Sequence, residues 1–204
     1  MRKLEVYADL WCPFAYVGLR QAIAKREELG SDQPFIIHPW PLELVNKQPL
    51  DPETTWEHAQ DLRKQVAPNM FHNLDRSHFP TTTLPALALV VAMYGVDAAK
   101  GESMSMAFRT LLFEDGCDIS NPETLHDIAT QFGCDPAASS DVSAVVGEWN
   151  RGVKRGVQGS PHFFCGEHNM FCPGLAIQKD DSGHLDLQTT ANRLTSFLSD
   201  CLVD

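Results

Sequence analysis

No Cys-x-x-Cys pair occurs anywhere in the 204 residues; the six cysteines stand at 12, 117, 134, 165, 172 and 201. Their absence as a pair excludes a redox ring closed within one helical turn. The wide spacing also argues against a framework of structural disulfides. Basic residues are scarce, with 16 Lys and Arg against 27 Asp and Glu and a formal net charge of −11. So few and so scattered, they offer no patch for nucleic acid or an anionic membrane, both of which need clustered cations. Long apolar runs are missing too. The longest, around residues 84–93, is well short of the ~20 residues that span a bilayer. Met1-Arg2-Lys3 passes straight into Leu4-Glu5-Val6-Tyr7 without an apolar leader, so a cytoplasmic location is expected.

What is present is the composition of a folded globular chain, 43% hydrophobic and 21% charged. Residues 2–8 alternate as a strand, and a helix is predicted over 13–29. Pro13 sits at its first position, Gly30 stops it, and Phe14, Val17, Ala24 and Leu29 form a rough apolar stripe. Residues 35–40 read as a second strand, completing β-α-β with a crossover long enough for parallel pairing. From 51 to 146 the chain reads almost entirely helical, punctuated by Pro68, Pro80, Pro85, Gly95, Pro122 and Gly133. A helix near 141–155 leads to turn residues at 156–161, then to a hairpin of strands 162–165 and 170–172. A last helix is expected over 187–202. The outline is an α/β domain built from residues 1–50 and 147–204, with residues 51–146 as a helical insertion.

Cys12 is the residue most suited to chemistry. It stands between the first strand and the first helix, where unsatisfied N–H groups and the helix dipole favour a thiolate. Such a position takes a cysteine pKa from ~8.5 towards ~3.5–7.5, so alkylation well below pH 8 is expected. The alternative is a small buried apolar residue. Gly159-Ser160-Pro161, taken on spacing alone, is a plain turn before a strand.

Together these two segments resemble a known family. Asp9-Leu-Trp-Cys12-Pro-Phe-Ala15-Tyr16-Val-Gly18 is similar to the Asp-x-x-Cys-Pro-Trp-Cys-Tyr-x-Gly segment of cytosolic DsbA-like, FrnE-type oxidoreductases. The run at 156–163, Gly-Val-Gln-Gly-Ser160-Pro161-His162-Phe, resembles that family's Gly-Val-x-Gly-Val-Pro-x-Phe loop, which carries a cis-proline facing the cysteine. Phe113-Glu114-Asp115-Gly116-x-Asp118-Ile119-Ser120 and Leu125-x-x-Ile128-Ala129-x-x-x-Gly133 are similar to landmarks of its helical insertion. The resemblance spans nearly the whole chain and implies a thioredoxin-like fold with an inserted all-helical domain. It implies a thiol-disulfide oxidoreductase with Cys12 as the attacking thiol, and the Ser160 backbone beside Pro161 aligning the substrate.

One position departs from the pattern. Ala15 stands where the dithiol members carry the resolving cysteine, so Cys12 is expected to work as a monothiol. A small thiol or disulfide, protein disulfides included, is the expected partner. No bound cofactor or metal is expected, and glutathione is the candidate co-substrate that releases a mixed disulfide. The same superfamily holds 2-hydroxychromene-2-carboxylate isomerases and kappa-class glutathione transferases, in which a serine usually occupies the position of Cys12. A glutathione-dependent isomerase or transferase is therefore the second reading. A binding protein that has kept only the fold is the third.

The remaining candidates carry an open alternative each. Trp11, Phe14 and Tyr16, with Pro13, are read as walls of a substrate groove, core packing explaining Phe14 about as well. His162 is either a base for Cys12 or turned to the far face by strand alternation. Cys165, His168 and Cys172 have loose metal-like spacing but lack a fourth ligand. Cys172 is also a candidate displaced resolver of Cys12. Cys117, Cys134 and Cys201 are read as structural or incidental.

Overall fold

A computed structural model describes residues 2–48, 51–180 and 185–202. Its first elements are β1 (Leu4–Ala8), α1 (Pro13–Glu28) and β2 (Ile36–Pro39). Five helices follow: α2 (Leu42–Asn46), α3 (Pro52–Gln65), α4 (Leu84–Tyr94), α5 (Ala98–Phe113) and α6 (Pro122–Phe132). Then come α7 (Val142–Arg155), β3 (His162–Cys165), β4 (His168–Phe171), β5 (Leu175–Lys179), β6 (Leu185–Thr189) and α8 (Ala191–Leu202). The main sheet runs β2-β1-β3-β4, with β1 parallel to β2 and antiparallel to β3. β5 and β6 form a separate two-stranded ribbon.

The sheet has two differently covered faces. Leu4, Val6, Ala8, Phe163 and Cys165 pack against α1 and against Leu194, Phe197 and Leu198 of α8. The opposite face holds Tyr7, Trp40 and Phe164, covered by Trp149 of α7. That cover depends on Gly152, where an added Cβ would sit 2.8 Å from the Tyr7 ring and 2.9 Å from Trp40. α1 lies between layers, with Ala15, Leu19 and Ala22 towards the sheet and Tyr16 and Val17 towards the helices. A helix covered on two sides has no single apolar stripe.

Local signals account for most helix starts. The side chains of Asp51, Asp97, Asn121 and Asp141 accept the N-terminal N–H groups of α3, α5, α6 and α7. α4 is apolar all round and occupies the middle of the helical layer, burying Ala86, Leu87, Ala88, Leu89, Val90 and Met93. Two expectations are corrected. Residues 66–83 are not helical apart from a short 3-10 turn at Arg76–His78. Phe71 there adopts a left-handed φ of 64°, and the Phe71 and His72 amides donate to Glu114 instead of a helix ladder. The last helix begins at Ala191, because Leu185 and Leu187 face inward with strand alternation and pair with β5. The Leu187 amide and the Leu185 carbonyl are both bonded to Gln65 of α3.

Candidate active site

The turn after β1 is fastened from several directions. Asp9 is fully buried. Its Oδ1 accepts the Leu10 N–H at 2.7 Å and the Thr83 hydroxyl at 2.9 Å, while Oδ2 accepts the Leu42 N–H. The Asp9 main chain is held as well: its N–H donates to Ser160 Oγ at 2.9 Å, and its carbonyl accepts Arg109 Nη2 at 3.0 Å. Arg109, itself fully buried, also donates to the carbonyl and hydroxyl of Ser105 one turn back along α5. Segments far apart in sequence thus converge on four residues of loop. Burial pushes the Asp9 carboxyl up to about 6 against the pull of its Leu42, Thr83 and Leu10 donors. Burial likewise lowers the Arg109 guanidinium to about 10, a cost offset by Asp9.

Cys12 occupies the N-cap position of α1 and is only 4% exposed. Its thiol donates to the Ser160 carbonyl at 3.2 Å, and the Ser160–Pro161 peptide is cis. The Pro161 ring reaches α1 at Gly18, where a Cβ would lie 3.3 Å from Pro161 Cγ. The expected low thiol pKa is corrected: burial pushes the Cys12 thiol up, and the Asp9 charge adds to that. The Ser160 side chain, the Ala15 N–H and Arg109 favour the thiolate but do not outweigh desolvation. Pro13 removes one donor from the helix start, and the resting thiol makes no capping bond to α1. The resting state is a protonated thiol bonded to a carbonyl.

A cleft of about 380 Å³ opens over this thiol. It is lined by Cys12, Pro13, Phe14 and Ser160 together with Leu42, Asn46, Asp51, Thr54 and His58 of the α2–α3 region. His58 packs on Phe14 with ring centroids 5.4 Å apart, and burial lowers its imidazole, leaving it neutral near pH 7. Trp11 and Tyr16 lie elsewhere. Trp11 is fully buried and stacked on Phe79, and Tyr16 is stacked on Phe113, so both belong to the helical core and not to the cleft wall.

His162 faces away from Cys12. It shares the sheet face of Tyr7 and Phe164, its Nδ1 accepts the Gln158 N–H, and its Nε2 pairs with Asn169 Oδ1. Cys165 lies buried beside Cys201, whose thiol is raised by burial and by that neighbour. His168 is exposed on the edge strand. Among the described residues, no cluster of three or more His, Cys, Asp or Glu side chains is placed to hold a metal ion. Cys172 is buried just beyond β4, and its N–H donates to the Pro161 carbonyl at 3.0 Å.

Reading the sequence missed Thr83, Arg109 and His58, which approach the site from 46 to 97 positions away and carry no local motif (the separations follow from their numbers and that of Cys12). Asp9 stood in the motif, yet its role as the knot of the turn is visible only with its partners. The match to a family model for the DSBA-like thioredoxin domain runs over residues 3–180. The chain belongs to that family. No curated protein matches the sequence. The fold is shared with a probable DsbA oxidoreductase from Streptomyces coelicolor at TM-score 0.65 and 17% identity, covering 98% of this chain and 90% of that one. It is similar to the cytosolic disulfide reductase DsbM from Pseudomonas aeruginosa at TM-score 0.60 and 16% identity, covering 97% of each chain. A 2-hydroxychromene-2-carboxylate isomerase matches at TM-score 0.59 and 12% identity, covering 82% and 87%. The DsbA-like chain thus has a thioredoxin-like fold, and among its described residues no helix is long and apolar enough to cross a membrane.

Proposed function

We propose that this DsbA-like chain is a cytoplasmic thiol oxidoreductase that works through the single sulfur of Cys12, with glutathione as co-substrate. The observation that carries the reading is the Cys12 thiol on the Ser160 carbonyl at the floor of the cleft, with Ala15 where a helical partner thiol would stand. In this scheme Cys12 attacks the glutathione sulfur of a glutathionylated small molecule or protein. A new S–S bond forms, the old one breaks, and the substrate leaves as its thiol. Free glutathione then attacks the Cys12 adduct, releasing glutathione disulfide and restoring the thiol. Because burial keeps Cys12 protonated, its proton must be taken up as the attack proceeds. His58, a neutral imidazole in the same cleft, is the acceptor we assign. Support for the small thiol comes from DsbM, whose structure has also been determined with GSH and resembles this chain at TM-score 0.61 and 16% identity over 97% of it. The cytosolic description of that protein supports the location.

A second reading is favoured by the protonated state itself. A buried thiol can donate a hydrogen bond to the sulfur of bound glutathione and leave the attack to that thiolate, as a transferase or isomerase on an apolar substrate would require. The Cys12→Ser variant separates the two, since serine keeps the donor and loses the nucleophile. Turnover of a glutathionylated peptide is expected to fall to the uncatalysed rate in Cys12→Ser. Retained glutathione-dependent activity in that variant would move the assignment to the second reading.

A further inference from the structure

The Ser160–Pro161 dipeptide carries two cysteines, not one. Its first carbonyl accepts the Cys12 thiol at 3.2 Å, and the next carbonyl along accepts the Cys172 N–H at 3.0 Å. One is bonded through its thiol and the other through its main-chain N–H, so the Cys12 sulfur and the Cys172 backbone flank the same dipeptide, although they are 160 positions apart in the chain. They are also close enough for negative charge on Cys12 to raise the Cys172 thiol, after the larger effect of burial. Both are free thiols, and Cys172 is buried. None of the other four shares this loop. Cys165 and Cys201 pair with each other beneath the sheet, and Cys117 and Cys134 lie half-buried after α5 and α6.

We propose that Cys172 resolves the glutathione adduct of Cys12 from inside the protein when free glutathione is scarce. The inference rests on the thiol-exchange reading and extends it to the oxidised enzyme. The step balances: the Cys172 sulfur bonds to the Cys12 sulfur, the Cys12–glutathione bond breaks, and glutathione departs as a thiol carrying the Cys172 proton. The oxidising equivalent comes from the glutathione disulfide or mixed disulfide that formed the adduct, and two molecules of glutathione later return both cysteines to thiols. A buried thiol is a poor free nucleophile, so proton transfer to the departing sulfur is what lets it react. Cys172 lies just past the β4 ladder, ahead of Pro173-Gly174, so bringing its sulfur onto Cys12 calls for a shift of this short segment alone, whose ties are the Cys172 N–H on the Pro161 carbonyl and the Leu175 N–H on the Cys172 carbonyl. With glutathione plentiful, attack from solution outruns this route. With glutathione depleted, the bridge protects both sulfurs from further oxidation.

The test is to expose the reduced full chain to glutathione disulfide without added glutathione, then map cysteines by mass spectrometry under non-reducing conditions. A Cys12–Cys172 bridge is expected in the wild type. Cys172→Ser, with Cys172→Ala as a second variant, is expected to stop at the Cys12 adduct, and Cys12→Ser to leave Cys172 unmodified. A stable Cys12 adduct beside a free Cys172 thiol in the wild type would overturn the inference while sparing the thiol-exchange reading. Adduct on Cys172 in Cys12→Ser would also overturn it, by showing that Cys172 reacts alone. A wild-type chain with Cys12 untouched would overturn the underlying reading itself.

Discussion

Two carboxylates at opposite ends of β1 meet opposite fates. Asp9, at the end that feeds Cys12, is pushed up to about 6 by burial, held by neutral donors from Leu10, Leu42 and Thr83. Glu5, four residues earlier, is held down to about 2, chiefly by His38 and, against some burial, by Arg155. His38 is clamped between Glu5 and Glu148, each at 3.0 Å, and stacks on Tyr7. Burial alone would lower its pKa, but the Glu148 and Glu5 carboxylates outweigh that and raise it. The difference lies in the compensation. At the Glu5 end the carboxylate is paired directly with His38 and Arg155, whereas at the Asp9 end the carboxylate oxygens meet neutral donors and Arg109 is bonded to the Asp9 main-chain carbonyl. The first arrangement is a clasp between the sheet and α7. The second fixes a turn without neutralising it, and leaves a negative charge that opposes thiolate formation at Cys12.

The two ends of β1 differ most in what they would lose at Asp9. Asp9→Asn keeps the shape but turns one acceptor into a donor facing a donor, and is expected to cost about 1–3 kcal/mol in urea unfolding at pH 7. If the turn survives, removing the charge is also expected to move Cys12 alkylation to lower pH. An unchanged alkylation profile would deny Asp9 its electrostatic influence. A smaller loss, about 1–2 kcal/mol near neutral pH, is expected for Glu5→Gln. Because the Glu5 pKa is lowered on folding, its contribution is present above the ordinary 4.5 and is lost as pH falls towards about 2. Wild type and Glu5→Gln should therefore converge in stability across that acid window. The smallest effect, up to about 1 kcal/mol, is expected for His38→Gln. A raised imidazole stabilises fully below 6.5 and loses that contribution as pH rises through its folded value, so the variant should lack this alkaline decline. Equal slopes above pH 6.5 would show that the clasp does not depend on the imidazolium.

The strand within 2–8, the helix opened by Pro13, the helix near 141–155 and the hairpin beginning at 162 were all legible. Each rests on local periodicity or on a cap within three residues. Residues 66–83 were misread because their backbone groups are satisfied by Glu114, some 40 positions away. Leu185 and Leu187 alternate as a strand should, yet strand and helix patterns overlap over so short an apolar run. At the site, the pairing of Cys12 with Ser160 and Pro161 was legible from the two motifs together. Trp11 and Tyr16 were read as cleft walls from their nearness in sequence, but the turn before α1 points Trp11 onto Phe79 and the helical rotation of α1 points Tyr16 onto Phe113.

The sequence by itself determined where the Cys12 sulfur stands, at the start of the first helix, and that Ala15 cannot close a ring with it. Both are local facts of chain order. Only the tertiary structure decided the sulfur's protonation, because desolvation depends on everything packed around it and here outweighs the helix terminus. It also decided the sulfur's company: His58 in the cleft, Asp9 and Arg109 beneath, and Cys172 on the neighbouring carbonyl. These are contacts between distant segments, which exist only once the layers have closed.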